Sequence, residues 1–331
     1  LLEAMYFLSF GKSFRTAAPR ECIRHGARQC RIEGTVRRGA LERDLEVRLT
    51  PDDKKMFLFG KQTGIDGFVG NLHLLAFTCD HLDIVRGSPG ERRAFLDRAM
   101  ATIYPGHVGS LARYGRALKQ RNRVLSAVRD GKASLDPRLL DSWDETLVDE
   151  GARILVNRVR YVDQMKKALP RGLFGSEELK MHYLSAVPGQ DGGETTAADR
   201  FRRRLAEARE SDRRTGYTSV GPHRDDLRLY VNGKSLADYG SAGQQRSSLL
   251  AMYFSQMEIH CGVHGFYPVF LVDDAEAELD QNRLDTFLHY LSGRTQTFLT
   301  SARDFALPSA GGGIRRMRVH NGTLAESGSR P

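Results

Sequence analysis

The sequence predicts an α/β fold in which a split α/β head carries an inserted α-helical arm. Strand and helix patterns mix in residues 1–87, a charged helical stretch follows, and the β/α pattern returns at Val220. A chain of 331 residues with 40% hydrophobic residues is long enough for one large domain with an insertion. We therefore expect head segments at 1–87 and 216–331, with the arm at 88–215.

The first head segment begins with an apolar, helical stretch, Leu1–Leu8. Two runs of alternating apolar and polar residues follow, Cys30–Val36 and Leu45–Leu49. Alternation is typical of half-buried strands, and a polar turn joins the two runs.

The arm is predicted to consist of four charged helices separated by breaks that contain Gly or Pro. The predicted helices are 91–100, 108–128, 139–169 and 197–214.

A β-hairpin is predicted where the head resumes. Leu227–Val231 alternates, and Asn232-Gly233 is a strong hairpin turn signal. His223 lies just before it, beside Arg224 and two acids. No other His or Cys lies close by in sequence, so we interpret His223 as a hydrogen-bonded structural histidine.

Ser241 and Gln244 form the S-x-x-Q capping box of the next helix. The positive end and free N–H groups of a helix suit a phosphate, and Gly240 and Gly243 allow close approach of the backbone. An ordinary capped core helix is the alternative interpretation.

The apolar run 268–272 ends in two carboxylates, Asp273 and Asp274. Such a run is typical of a strand buried in a parallel sheet, whose carboxyl edge binds ligands. Asp273 is assigned to Mg²⁺ and Asp274 to an attacking water. A solvated acidic turn is the alternative. A helical pattern to Leu291 and a strand at 296–300 follow.

The net charge of +9 favours a polyanionic partner. Basic side chains cluster in the arm, and Arg116, Lys119 and Arg123 share one helix face, so they are the DNA-binding candidates. A solvated helix face is the alternative. A second run, 202–204, is interleaved with glutamates and is interpreted as a set of surface ion pairs.

The four cysteines lie far apart and form no C-x-x-C pair, so we expect neither a zinc site nor a disulfide framework. No signal peptide and no apolar run near 18 residues occur, so we expect a cytoplasmic protein without a membrane partner.

Five segments together resemble the RecF proteins of the SMC and ABC ATPase superfamily. Ser241–Ser247 is similar to their signature motif, and Leu271–Asp280 to their Walker B strand and D-loop. The other three matches are Val85–Arg98, Tyr114–Asn122 and Val220–Leu227. The segments follow the family's order and cover nearly the whole chain, with Glu276 and Ala277 as departures in the D-loop.

The resemblance implies an ABC/SMC-type P-loop NTPase head that binds ATP with Mg²⁺ and dimerises. One subunit's Walker motifs would hold the nucleotide. The other subunit's signature would cap the γ-phosphate, through Ser241, Gly243, Gln244 and Gln245.

In this scheme Asp280 lies at the dimer interface, and Thr300 or Ser301 occupies the switch position. The resemblance also implies binding to gapped, junction or single-stranded DNA, and partnership with RecR and RecO in recombinase loading during DNA repair.

A P-loop, G-x-x-x-x-G-K-[ST], does not occur in the sequence. The fragments at Gly11 and Gly233 lack the first glycine, which would fall on Tyr6 or Arg228. Leu1–Ala4 resembles the segment that follows the P-loop in RecF proteins, so we expect an N-terminally truncated sequence in which ATPase activity is doubtful. The alternative function is that of a DNA-binding remnant independent of nucleotide.

Overall fold

The computed structural model describes residues 1–16, 18–132, 134, 137–170, 177–187, 189, 196–275, 279–302, 315–320 and 323–326. The strands are β1 Cys30–Arg38, β2 Leu41–Leu49, β3 Lys54–Leu58, β4 Lys61–Thr63, β5 Leu74–Phe77, β6 Leu179–Leu184, β7 Asp226–Val231, β8 Lys234–Ser235, β9 Val269–Val272, β10 Thr297–Leu299, β11 Met317–His320 and β12 Thr323–Glu326. The α-helices are α1 Leu2–Phe10, α2 Ile65–Phe68, α3 Asp83–Arg86, α4 Pro89–Met100, α5 His107–Arg129, α6 Pro137–Ala168, α7 Ala197–Thr215, α8 Leu236–Tyr239, α9 Ala242–His264 and α10 Gln281–Leu291.

The parallel sheet positions the candidate site. Its strand order is β10-β9-β5, and β9 is hydrogen-bonded to a parallel neighbour on each side. Phe270 and Val272 belong to the core beneath α9 and α10, whereas Leu271 belongs to the core beneath α1. Successive side chains of a strand point to opposite faces, so both faces of β9 are covered. The predicted buried parallel strand is confirmed.

An antiparallel sheet, β1-β2-β3-β4, packs on the second of these cores. β1 pairs with β2 from Cys30 opposite Leu49 to Arg38 opposite Leu41. β2 begins at Leu41, four residues earlier than predicted, because its first residues extend beyond the core and have no apolar alternation.

The third sheet, β6-β7-β8, contains the predicted hairpin. Asn232 and Gly233 have φ of 49° and 78°, the left-handed geometry that an Asn-Gly turn provides. β6 was not predicted. It falls within the span assigned to the arm and pairs antiparallel with β7.

The four long helices between β5 and β7 are confirmed, each within two residues of its predicted bounds. Helices α5, α6 and α7 share a core that includes Tyr114, Leu147 and Phe201. Helix α6 also packs against α9. The division into head and arm stays a prediction. Among the described residues, no helix is long and apolar enough to cross a membrane.

Candidate nucleotide and DNA sites

The parallel sheet brings Asp273, Asp274 and Thr300 to one edge. Asp273 follows β9, and its backbone N–H donates to the carbonyl of Phe77 at the end of β5 (2.9 Å). Thr300 follows β10, and its N–H donates to the carbonyl of Val272 (2.9 Å). This is the carboxyl edge of the strands, where open α/β sheets bind ligands.

Thr300 connects the two acidic residues. Its hydroxyl donates to Oδ1 of Asp273 (2.8 Å) and accepts from the backbone N–H of Asp274 (3.1 Å). Asp273 is 6% exposed, whereas Asp274 is exposed and has a φ of 51°, which is unusual for a residue other than glycine. Of the two residues predicted at the switch position, Thr300 makes these contacts, and Ser301 is half-buried beside it.

Besides Thr300, the side chain of Arg15 contacts the Asp273 carboxylate, and no local pattern in the sequence predicted this contact. Its Nη2 donates to Oδ2 of Asp273 (2.7 Å). The hydroxyl of Ser13 accepts from the N–H groups of Arg15 and Thr16 and so orders this segment. The hydrogen bond and the charge of Asp273 raise the pKa of Arg15. A cationic group already lies at this carboxylate, so Asp273 fits the role of a Mg²⁺ ligand if the guanidinium moves aside.

The predicted capping box at the start of α9 is confirmed. The N–H of Gln244 donates to Oγ of Ser241 (3.2 Å), and the N–H of Ser241 donates to Oε1 of Gln244 (2.9 Å). Ser241 is exposed, while Gly243 and Gln244 are half-buried. Gln244 also donates to Glu177 (2.8 Å). The positive end of a 23-residue helix therefore lies at an accessible, ordered turn.

Gln245 differs from the other signature residues because its side chain is 3% exposed. Its Nε2 donates to the carbonyls of Leu236 (3.2 Å) and Gly240 (3.1 Å), and its Oε1 accepts from Arg86. Gln245 thus holds the turn in place from the inside, and the prediction that it contacts phosphate has no support from this geometry.

Arg283, which the sequence did not indicate, joins the signature to the D-loop residue Asp280. A Cβ on Gly243 would lie 2.7 Å from Nη2 of Arg283. The same guanidinium donates to Ser247 (2.9 Å) and pairs with Asp280. Asp280 caps α10 by accepting from the N–H of Arg283, and this bond lowers the pKa of Asp280.

Among the described residues, no hydrogen bond joins the turn at Ser241 to Asp273, Asp274 or Thr300. Arg283 links the turn at Ser241 only as far as Asp280 among the described residues, and Asp280 is exposed.

The DNA-binding candidates of α5 face solvent. Arg116, Lys119 and Arg123 are exposed, and none of them forms a salt bridge with another described residue. Arg121 and Arg113, which lie in the same basic run, do not belong to this surface. Arg121 is fully buried, and Arg113 pairs with Glu150.

The arginines of α7 form ion pairs, as predicted. Arg202 pairs with Asp199, and Arg203 and Arg204 pair with Glu207.

His223 is a structural histidine, as predicted. Nδ1 lies 2.6 Å from the hydroxyl of Tyr114, and Nε2 lies 3.1 Å from the carbonyl of Thr218. Burial lowers its pKa to about 4, so the ring is neutral at pH 7.

Comparison with known proteins decides the family. No family model matches the chain. The DNA replication and repair protein RecF of Bacillus subtilis strain 168 is 33% identical over 341 residues, covering 98% of this chain and 90% of that protein. RecF of Desulforudis audaxviator is 33% identical over 327 residues, covering 98% and 89%. The chain belongs to the RecF family.

Solved RecF structures agree with this assignment. A structure of the recombination mediator protein RecF with ATP in the RecFOR pathway has a TM-score of 0.85 and 26% identity. It covers 98% of this chain and 88% of the solved chain. The expected ABC/SMC-type α/β fold is confirmed. The roles of the individual site residues stay predictions.

Proposed function

We propose that this chain acts as a recombination mediator in DNA repair. It binds DNA at gaps or single-strand/double-strand junctions and closes into a homodimer around ATP and Mg²⁺. RecR and RecO are the proposed partners in recombinase loading. Membership of the RecF family supports the proposal, as does the likeness to a RecF structure with ATP in the RecFOR pathway.

One observation carries the nucleotide part of the proposal, namely the contact of Thr300 with both Asp273 and Asp274. The hydroxyl of Thr300 orients Oδ1 of Asp273 at the sheet edge, while Oδ2 accepts a hydrogen bond from Arg15. The Mg²⁺ ion would neutralise phosphate charge in the transition state. Asp273 would hold that ion through Oδ2, and the exposed Asp274 would orient the attacking water.

The turn at Ser241 is the proposed γ-phosphate contact to the opposite subunit. Its hydroxyl and the N–H groups of the first turn of α9 are the donors that suit an anion. Gly243 permits close approach, and Arg283 lies directly behind it. Arg283 also forms an ion pair with Asp280. A movement of Asp280 at the proposed subunit interface would therefore be transmitted to the signature turn through the side chain of Arg283.

A second candidate function is DNA binding without nucleotide. The 331 residues contain no G-x-x-x-x-G-K-[ST] motif. The cations Arg116, Lys119 and Arg123 of α5 are exposed to solvent.

Nucleotide titration distinguishes the two candidates. A polypeptide of these 331 residues should bind a fluorescent ATP analogue weakly up to millimolar concentration, because the loop of N–H groups and the lysine that hold the phosphates are missing. Micromolar, Mg²⁺-dependent binding would contradict this expectation.

The roles of the two acids are tested in the same chain preceded by a P-loop segment. Asp274→Asn should keep Mg²⁺-dependent ATP binding, lose phosphate release and accumulate as a dimer. Asp273→Asn should weaken the binding itself. Asp163→Asn, at an exposed position of α6, is the control and should behave as the parent. Normal phosphate release by Asp274→Asn would refute the assignment.

A further inference from the structure

Three histidines meet at the end of the parallel sheet opposite Asp273. His73 directly precedes β5, and its carbonyl accepts from the N–H of Val269 at the start of β9 (3.0 Å). His260 and His264 lie in the last turns of α9, four residues apart and so on one helix face. One ring nitrogen from each histidine lies within 4.8 Å of the other two.

Backbone contacts orient the three rings. Nδ1 of His260 lies 2.9 Å from the carbonyl of Phe266, and Nε2 of His264 lies 2.8 Å from the carbonyl of Thr102. These bonds use the N–H of each ring and leave Nε2 of His260 and Nδ1 of His264 as electron-pair donors. Histidines that bind metals are held in the same way, because the second nitrogen donates to a carbonyl and fixes the tautomer.

The rings of His73 and His260 contact each other through their nitrogens. A neutral ring has one N–H. Because the N–H of His260 is directed to Phe266, Nε2 of His260 accepts, and its contact of 2.6 Å with Nδ1 of His73 uses the N–H of His73. A metal ion could take the place of the proton shared between these two nitrogens.

We propose that His73, His260 and His264 bind one divalent transition-metal ion of the Zn²⁺ class, at a site distinct from the Mg²⁺ site proposed at Asp273. Three imidazoles without a carboxylate or thiolate suit Zn²⁺, Ni²⁺ or Cu²⁺, whereas Mg²⁺ requires oxygen ligands. Water would complete a tetrahedral set.

Small movements would adapt the cluster to a metal ion. Metal–nitrogen distances of about 2.0–2.1 Å place tetrahedral ligand atoms roughly 3.3 Å apart. The distance between the ring nitrogens of His73 and His260 would therefore increase, and the longer nitrogen–nitrogen distances to His264 would decrease. Arg38 packs on Phe266, 4.3 Å from the ring centroid, and the charges of Arg38 and Arg43 oppose a cation. These charges lower the affinity without blocking the ligand atoms.

The ion would tie the carboxyl end of α9 to β5 and to the loop that contains Thr102. The site is at the end of α9 away from Ser241 and so away from the proposed nucleotide contacts. It lies at the far end of the helix that presents the signature. The expectation of no zinc site rested on cysteine spacing, whereas the separation of His260 and His264 by four residues was the signal available in the sequence.

Metal titration tests the proposal with the full chain. The protein is stripped with a chelator, dialysed against micromolar ZnCl₂ in millimolar MgCl₂, and assayed by elemental mass spectrometry. We expect about one zinc per chain, and a rise of a few degrees in the thermal midpoint at ~100-fold excess over Kd. Co²⁺ should give the visible band of a four- or five-coordinate ion.

Two variants at half-buried positions, His73→Ala and His264→Ala, should lose the zinc, the cobalt band and the thermal shift. His289→Ala, an exposed histidine of α10, is the control and should keep all three. Circular dichroism checks folding. A wild-type protein that takes up no zinc, or variants that retain it at the wild-type level, would overturn the proposal. If a variant fails to fold, a purely octahedral Co²⁺ spectrum in the wild type would overturn it equally.

Discussion

Arg121 donates from Nη1 to Oδ2 of Asp212 at 2.7 Å, and both side chains are fully buried. The same guanidinium donates to Asp144 (2.6 Å) and to Thr218 (2.9 Å). Because Asp144 lies on α6 and Asp212 on α7, one side chain of α5 holds three helices together. The basic run on α5 therefore contains residues of two kinds, two that pair with acidic residues of neighbouring helices, Arg113 and Arg121, and three that face solvent.

Replacement of Arg121 with methionine should destabilise the protein by about 3–5 kcal/mol, because it leaves Asp212 buried without its cation. Urea unfolding followed by circular dichroism measures the change. Arg123→Met, two residues along the same helix but exposed, should change the free energy of unfolding by no more than about 0.5 kcal/mol. Equal effects of the two substitutions would contradict the structural role of Arg121.

DNA binding should depend steeply on salt and should not require nucleotide, since the cations of α5 are exposed. Arg116→Ala, Lys119→Ala and Arg123→Ala together should flatten the slope of log K against log salt by up to about 2–3 units, at ~0.9 per lost phosphate contact. Fluorescence anisotropy with gapped DNA at several salt concentrations gives the slope.

The matched control removes the same formal charge from α7. Arg202, Arg203 and Arg204 pair with acidic neighbours, so their joint replacement with alanine should change the slope less. A wild-type slope in the α5 variant would place the DNA-binding surface elsewhere.

Stability should fall in mild acid partly because of His81. Its Nδ1 accepts from the N–H of Thr78 (3.0 Å) and lies 2.7 Å from the hydroxyl of Tyr253, and burial lowers its pKa to about 3. The unfolded chain takes up this proton near pH 6.5. The contribution of neutral His81 is therefore complete above pH 6.5 and is lost progressively as the pH falls towards 3.

His81→Gln should flatten the dependence of the unfolding free energy on pH between 6.5 and 4, by up to ~1.4 kcal/mol per pH unit. Urea unfolding at a series of pH values, with a chelator present, measures this slope. The control His289→Gln alters an exposed ring and should leave the slope unchanged. The role of His81 is refuted if its variant shows the wild-type dependence.

Local signals in the sequence predicted the features that depend on neighbouring residues. The capping box at Ser241, the Asn232-Gly233 turn and the buried strand before Asp273 each arise from a few consecutive residues, and each is present. β6 was missed although burial alternates along its six residues, and Leu179, Met181 and Tyr183, on the more buried face, were the signal available in the sequence.

Contacts between distant parts of the chain could not be predicted in this way. Arg15 and Asp273 are 258 residues apart, and no local pattern pairs them. Arg121 is different, because Tyr114, Ala117 and Leu125 lie at helical spacing on its own face and are buried. The apolar face of α5, considered together with its basic residues, predicts that Arg121 is buried.

The proposed contact between Ser241 and the partner's nucleotide is tested by Ser241→Arg, in the chain preceded by a P-loop segment. A bulky cation at this exposed turn would occupy the position proposed for the γ-phosphate of the partner's nucleotide. ATP binding by the monomer should therefore persist, while ATP-dependent dimerisation is lost. Gel filtration with ATP and phosphate release measure the two effects.

Ser241→Gly distinguishes two effects of the arginine variant, namely blockage of the γ-phosphate position and loss of the helix cap. Glycine at this position costs only a few tenths of a kcal/mol in capping and leaves the backbone N–H groups free to meet an anion. We therefore expect the glycine variant to dimerise with ATP, though more weakly than the parent because the serine hydroxyl is gone. If the arginine variant dimerises as well as the glycine variant, Ser241 does not face the partner's nucleotide. If neither dimerises while both stay folded, the hydroxyl itself is the essential group, and the N–H groups of the first turn of α9 are insufficient without it.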